Sequence, residues 1–119
     1  MITYKGDTSP DSKELIDMGG TKYDGDKFYG SILYEYFPRA VEEVMKVSTF
    51  GAKKYSRGGW AHVPNAIERY TDAMHRHLLS EARGEVLDSD SGLPHKAHAA
   101  WNALCVLELQ LRESQDVGV

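Results

Sequence analysis

The run PHKAHAAWNALCVLELQL, residues 94–111, is apolar on nearly every side of a helix, yet it sets His95, His98 and Asn102 at i, i+3 and i+7 on one stripe. Pro94 suits the opening of this helix, which the pattern carries to about Glu113. A helix apolar nearly all round through Ala97, Ala99, Ala100, Trp101, Leu104, Val106, Leu107, Leu109 and Leu111 is expected to be buried. Burying three polar side chains without partners costs roughly 1–3 kcal/mol each, so the stripe is expected to face a site.

Two further helices precede it. Pro38 and the segment RAVEEVMKVSTFGAKKY give Val41, Val44, Met45, Ser48, Ala52 and Tyr55 as one face. Projection at 100° per residue puts Glu42, Lys46, Thr49 and Lys53 on an outer face and Glu43 beside Val47 and Phe50. After the loop SRGGWAHVP, Asn65 with Glu68 three residues on predicts a capping box for AIERYTDAMHRHLLSEAR, closed by Gly84. In that helix Ile67, Tyr70, Met74 and Leu78 form the core stripe and His77 and Glu81 flank it. Arg69, Asp72 and Arg76 cluster on another side, where Asp72 and Arg76 also make an ordinary i, i+4 ion pair. Residues 1–31 show no sustained period and read as an irregular, flexible arm, with a candidate helical turn at Ser12 to Met18. The prediction is a single all-α domain over 1–119, a bundle of three main helices. Three helices of this length do not enclose the last one on every side, so association through apolar helices into a homo-oligomer is expected.

Composition narrows the partners. Fourteen basic against eighteen acidic residues give a net charge of −4, which argues against a nucleic-acid polymer or an anionic membrane surface while leaving a small anion open. Cys105, the single cysteine, has no partner for an intramolecular disulfide and reads as an inert core thiol of a reduced, cytoplasmic protein. No run of ~18 apolar residues is present, so no membrane partner is expected. The HExxH, CxxC, GxSxG, GxxxxGK[ST] and GxGxxG patterns are all missing, and no histidine is followed by aspartate. Asp88, Asp90 and Gly92 match part of a calcium loop, but Ala99 holds its twelfth position and a turn before the last helix is the simpler reading.

Four strings in order along the chain carry a family likeness: KYDGDKF (Lys22 to Phe28), TFGAKKY (Thr49 to Tyr55), ERYTDAMHRHL (Glu68 to Leu78) and SGLPHKAHAAWNAL (Ser91 to Leu104). Together they resemble the phage-borne dATP/dGTP diphosphohydrolases of the MazZ type, a family similar to MazG and to the all-α nucleoside triphosphate pyrophosphohydrolases. The resemblance implies a dimeric or tetrameric helical bundle that uses Mg²⁺ or Mn²⁺ to convert purine dNTPs (dATP, dGTP) to dNMP and pyrophosphate by water attack at the α-phosphorus. The broader pattern is ExxE on one helix and ExxD on a later one. This chain departs from it: Asp72 with His75 stands where ExxE is expected, and Asn102 where the last Asp precedes its apolar run.

On that resemblance Glu43 and Asp72 are the expected principal metal ligands or water activator, with His98 and Asn102 completing the site and His98 sharing in catalysis. Imidazole and amide ligands suit Mn²⁺ better than the harder Mg²⁺. Phosphate contacts are drawn from Lys22, Lys27, Lys53, Lys54, Arg69 and Arg76, with His77 beside them. Tyr23, Tyr55 or Trp60 is available to stack on a purine. Two alternatives stay open: a metal-dependent nucleotide phosphomonoesterase, and a nucleotide-binding module without turnover.

Overall fold

A computed structural model describes residues 25–116. The chain divides into two compact units, Met1–Pro38 and Arg39–Val119. In the first, a short helix α1 spans Ser31–Tyr36 and ends where the Phe37 N–H donates to the Leu33 carbonyl at 3.1 Å. The sequence pattern did not anticipate it, since six residues are too few to show a period. The turn expected at Ser12 to Met18 lies outside the described residues.

Helix α2 (Pro38–Lys54) starts at the last residue of the first unit and otherwise lies in the second, which also holds a short 3-10 turn (Gly59–His62), α3 (Ala66–Ala82) and α4 (His95–Asp116). The described residues are all-α, with no strand beyond the isolated bridge between Leu87 and Pro94. None of their helices is long and apolar enough to cross a membrane.

Helix α2 opens at Pro38, which fits the first helical position, and closes with Lys53 and Lys54 against the negative end of its dipole. Its buried face is not the expected one. Met45 and Tyr55 are exposed, whereas Val47 is buried and Phe50 half-buried. Val47 and Phe50 are three apart, so they share a face, and that face looks toward α3 and α4.

Helices α3 and α4 form the closely packed pair. Tyr70 ties them to the 3-10 turn: its hydroxyl donates to the Trp60 carbonyl at 2.7 Å, and its ring meets Trp101 edge-on at 5.6 Å. The capping box expected at Asn65 does not form. Asn65 sits in the left-handed region (φ 55°), where its side chain makes no capping bond, whereas a capping residue holds extended backbone. At the other end of α3 the reading holds. Gly84 takes φ +101°, its N–H donates to the Glu81 carbonyl, and the Glu85 N–H reaches back to the Ser80 carbonyl, the paired bonds of a Schellman ending.

On α4 the pattern splits by face. Ala97, Ala99 and Cys105 are buried together with His95, His98 and Asn102, while Leu104, Leu107 and Leu111 remain more than half exposed. The Cys105 thiol is pushed up to about 12 by burial, in keeping with an inert core group.

Two glycines give opposite expectations for stability. Gly51 is interior to α2 with open space where a Cβ would stand, so Gly51→Ala is expected to stabilise by about 0.5–1 kcal/mol. Gly84 has equal space, but its positive φ makes Gly84→Ala cost about 1–2 kcal/mol. Denaturant titration followed by circular dichroism checks both signs; a stabilised Gly84→Ala variant contradicts the Schellman assignment.

Candidate functional site

The face of α2 that carries Val47 and Phe50 stands off from the α3–α4 pair and leaves a cleft of about 1270 Å³. Cations gather on its walls: Lys53 and Lys54 from the end of α2, Arg57 from the following loop, and Arg69 and Arg76 from α3. Asp72, Asp88 and Asp90 are the acidic residues of the lining. One pair is already matched, since Lys54 Nζ lies 2.9 Å from Asp90 Oδ2 in an exposed ion pair. Trp60 and Tyr55 add aromatic surface at one end, and Arg112 reaches over the Trp60 ring at 5.3 Å.

The floor is polar because the stripe on α4 arrives there. His98 and Asn102 both line the cleft, although they are only 9% and 5% exposed. Asn102 Oδ1 is buried with no hydrogen-bond partner, an arrangement that costs free energy unless something reaches it. His98 is better held. Its Nε2 lies 2.6 Å from Ser91 Oγ, its ring stacks on His77 at 4.5 Å, and Phe50 meets it edge-on.

The connection between α3 and α4 supplies the remaining groups. Its backbone is pinned by the Asp88 N–H on the Leu93 carbonyl, the Gly92 N–H on the Asp88 carbonyl and the His95 N–H on the Val86 carbonyl, each at 2.8–2.9 Å. Asp88 Oδ2 accepts the Ser91 N–H at 2.9 Å, which turns the carboxylate toward the histidines. The loop is therefore a helix-leading turn, as its sequence suggested. It brings Asp88 together with His77 and His95 so that one ligating atom from each lies within 4.8 Å of the others. His77 Nδ1 and His95 Nδ1 are 2.8 Å apart. His95 Nε2 makes no hydrogen bond; Glu85 Oε1 stands 3.5 Å away, within ion-pair reach but outside hydrogen-bond geometry.

The expected site residues distribute unevenly. Lys53, Lys54, Trp60, Arg69, Asp72, Arg76, His77, His98 and Asn102 all line the cleft. Glu43 does not: it lies one turn before Val47 on the same stripe, and its carboxylate takes Lys46 at 3.1 Å. Lys27 is an exposed residue of the first unit, and Lys22 and Tyr23 lie outside the described residues. Glu43, Asp72 and His98 do not form a group of converging ligand atoms; among the described residues His77, Asp88 and His95 do. Asp88, Asp90 and Arg57 were missing from the expected set, and His95, expected to face the site as part of the α4 stripe, had no ligand role there. For Asp88 the available signal was the Asp-x-x-Ser spacing of a side-chain-closed turn just ahead of Pro94.

Fold and cleft together define an all-α chain with a cation-walled cavity backed by histidine and aspartate. Residues 17–117 match the family model described as dATP/dGTP diphosphohydrolase, N-terminal. The chain is also 40% identical over 92 residues to a dATP/dGTP diphosphohydrolase of Salmonella phage PMBT28, an alignment that covers 77% of the chain and 30% of that relative. The chain belongs to the dATP/dGTP diphosphohydrolase N-terminal family. It spans less than a third of the length of the relative it matches. No solved structure matches it.

Burial lowers the proton affinity of His77 and His98 in the cleft, with the neighbouring His98 adding to the effect on His77. The unfolded chain therefore binds these protons first. Stability is full above the ordinary value of 6.5 and declines as pH falls from there toward the lowered values. At Asp88 burial pushes upward, but the Ser91 hydrogen bonds and the nearby imidazoles outweigh it and hold the carboxyl below 3.8, so its contribution is lost only in stronger acid. In metal-free protein the melting temperature is expected to fall as pH drops from about 7 to about 5, less steeply in His98→Asn than in the wild type. Equal slopes contradict this account.

Proposed function

We propose that this domain is the catalytic part of a purine deoxynucleoside triphosphate diphosphohydrolase, converting dATP or dGTP to dNMP and pyrophosphate. The observation that carries the reading is a cleft walled by five cationic side chains in a chain whose net charge is negative, within a family named for this chemistry. Local positive charge of that kind suits a triphosphate, whose hydrolysis demands that about four negative charges be neutralised and the attacking water aligned.

Lys53, Lys54, Arg57, Arg69 and Arg76 bind the phosphates, the arginines able to grip two oxygens at once. Trp60, held through its carbonyl by Tyr70, and the exposed Tyr55 offer faces for a purine. A divalent metal, Mg²⁺ or Mn²⁺, accompanies the triphosphate in this reading and would neutralise phosphate charge and favour departure of pyrophosphate. Asp72, exposed on the cleft wall, is the carboxylate proposed to align water and accept its proton. His98 and Asn102 orient ligand from the floor. Glu43 enters this scheme only if it leaves Lys46. The exposed leucines of α4 support the proposal of a homo-oligomer, and the absence of a membrane-crossing helix among the described residues is compatible with a cytoplasmic site of action, the host's cytoplasm if the chain is phage-encoded.

Two measurements check the scheme. Incubation with each (d)NTP and Mg²⁺ or Mn²⁺, with products separated by chromatography, is expected to give dNMP and pyrophosphate from dATP and dGTP. Orthophosphate released from a monophosphate points instead to a phosphomonoesterase, and binding without products to a non-catalytic module. In the same assay Asp72→Asn is expected to lower kcat on the order of 10²-fold with the fold intact. Glu43→Gln, which loses only an exposed pair, is expected to stay within about twofold of wild type. Light scattering is expected to give a mass above the 13.3 kDa protomer; a clean monomer removes the oligomer from the scheme.

A further inference from the structure

We infer that His77, Asp88 and His95 form a resident site for a borderline divalent transition ion of the zinc class, separate from the metal that accompanies a triphosphate. Three observations carry it, and none depends on the proposed hydrolase activity.

The first is the donor set. Two imidazole nitrogens and one carboxylate stand within 4.8 Å of one another. Mg²⁺ favours oxygen ligands and keeps several waters, whereas imidazole selects zinc, cobalt and their neighbours. Ligand atoms on one tetrahedral zinc lie about 3.3 Å apart, from Zn–N distances of ~2.0–2.1 Å. The His77 and His95 Nδ1 atoms, now 2.8 Å apart, need to open by only about half an ångström to reach that spacing.

The second is the backing of His95. This side chain is 5% exposed, and its Nε2 has no hydrogen-bond partner. An imidazole that ligates through Nδ1 must carry its proton on Nε2, and Glu85 Oε1, 3.5 Å away, is the acceptor placed to take it. Carboxylates behind ligating histidines hold tautomer and ring orientation in this manner.

The third is rigidity. The three ligands come from α3, from the connection and from the first turn of α4, and each is held before any ion arrives. The Schellman ending fixes the exit of α3, and the Ser91 N–H bond orients Asp88. His98 stacks on the His77 ring at 4.5 Å. The positive end of α4 opposes a cation at its first residue, and Asp88 and Glu85 offset that field. Three protein ligands leave coordination positions for water or for an anion in the cleft, which His77 and Asp88 line.

Chelator-treated protein titrated with Co²⁺ tests the site by visible absorption, with calorimetry for Zn²⁺. One equivalent per chain is expected, with cobalt bands bleached by Zn²⁺ and untouched by millimolar Mg²⁺. His77→Ala and His95→Ala are expected to abolish the bands, while Asp72→Asn, on another part of the wall, keeps them. Should the histidine variants fail to fold, Glu85→Gln, a change at an exposed residue, is expected to weaken Zn²⁺ binding by about 10- to 100-fold. Absence of cobalt bands in the wild type, their survival in folded His77→Ala and His95→Ala, displacement by Mg²⁺, or unchanged zinc affinity in Glu85→Gln overturns the assignment. A negative result leaves the dNTP assay unaffected, because that assay reads products with Mg²⁺ or Mn²⁺ alone.

Discussion

A buried imidazole or amide is tolerable only when its polar atoms find partners, and α4 buries three such side chains within two turns. The rest of the second unit is arranged around that demand. Ser91 is held by the α3–α4 connection where it meets His98, and His77 is carried on α3 where it meets both His95 and His98. The close packing of α3 on α4 and the pinned turn between them are what keep these contacts in register. Two atoms, His95 Nε2 and Asn102 Oδ1, are left over. They are where the structure spends stability, and both lie at the cleft or directly behind it.

The arrangement separates two kinds of chemistry in one cavity. Cationic side chains from α2, the loop after it and α3 form the outer walls, suited to a highly charged anion. The inner end is pre-formed: burial lowers the proton affinity of His77 and His98, and hydrogen bonds from Ser91 favour the ionised form of Asp88.

The parts of this that the sequence made legible are those with a period or a stop signal. The bounds of α2, α3 and α4 followed from apolar spacing together with Pro38, Gly84 and Pro94, and the stripe of His95, His98 and Asn102 was visible as polar breaks in an apolar helix. What stayed hidden depended on tertiary placement. Projection around α2 puts Glu43 in line with Val47 but says nothing of height along the helix, and one turn is enough to leave it outside the lining. Asp88 enters through a turn whose shape depends on Ser91 and on a glycine at positive φ. Asn65 has the residue type of a cap but not the backbone angle, and backbone angle is not written in residue type. The family likeness came from strings of residues rather than from periodicity, and it covers the same helices that form the cleft.

The central claim is that the polar stripe of α4 faces a ligand and does not merely fill a core. Asn102→Leu tests it directly, because the two side chains are close in size and the substitution removes a buried acceptor that has no protein partner. The measurement is the melting temperature of wild type and variant, each with and without saturating dGTP and Mn²⁺. The account predicts that the free variant melts at or above the wild-type temperature and that the stabilisation by nucleotide is lost or much reduced. A free variant that melts several degrees lower, yet is stabilised by nucleotide as strongly as the wild type, would show that Asn102 serves the packing of the bundle and would contradict the account.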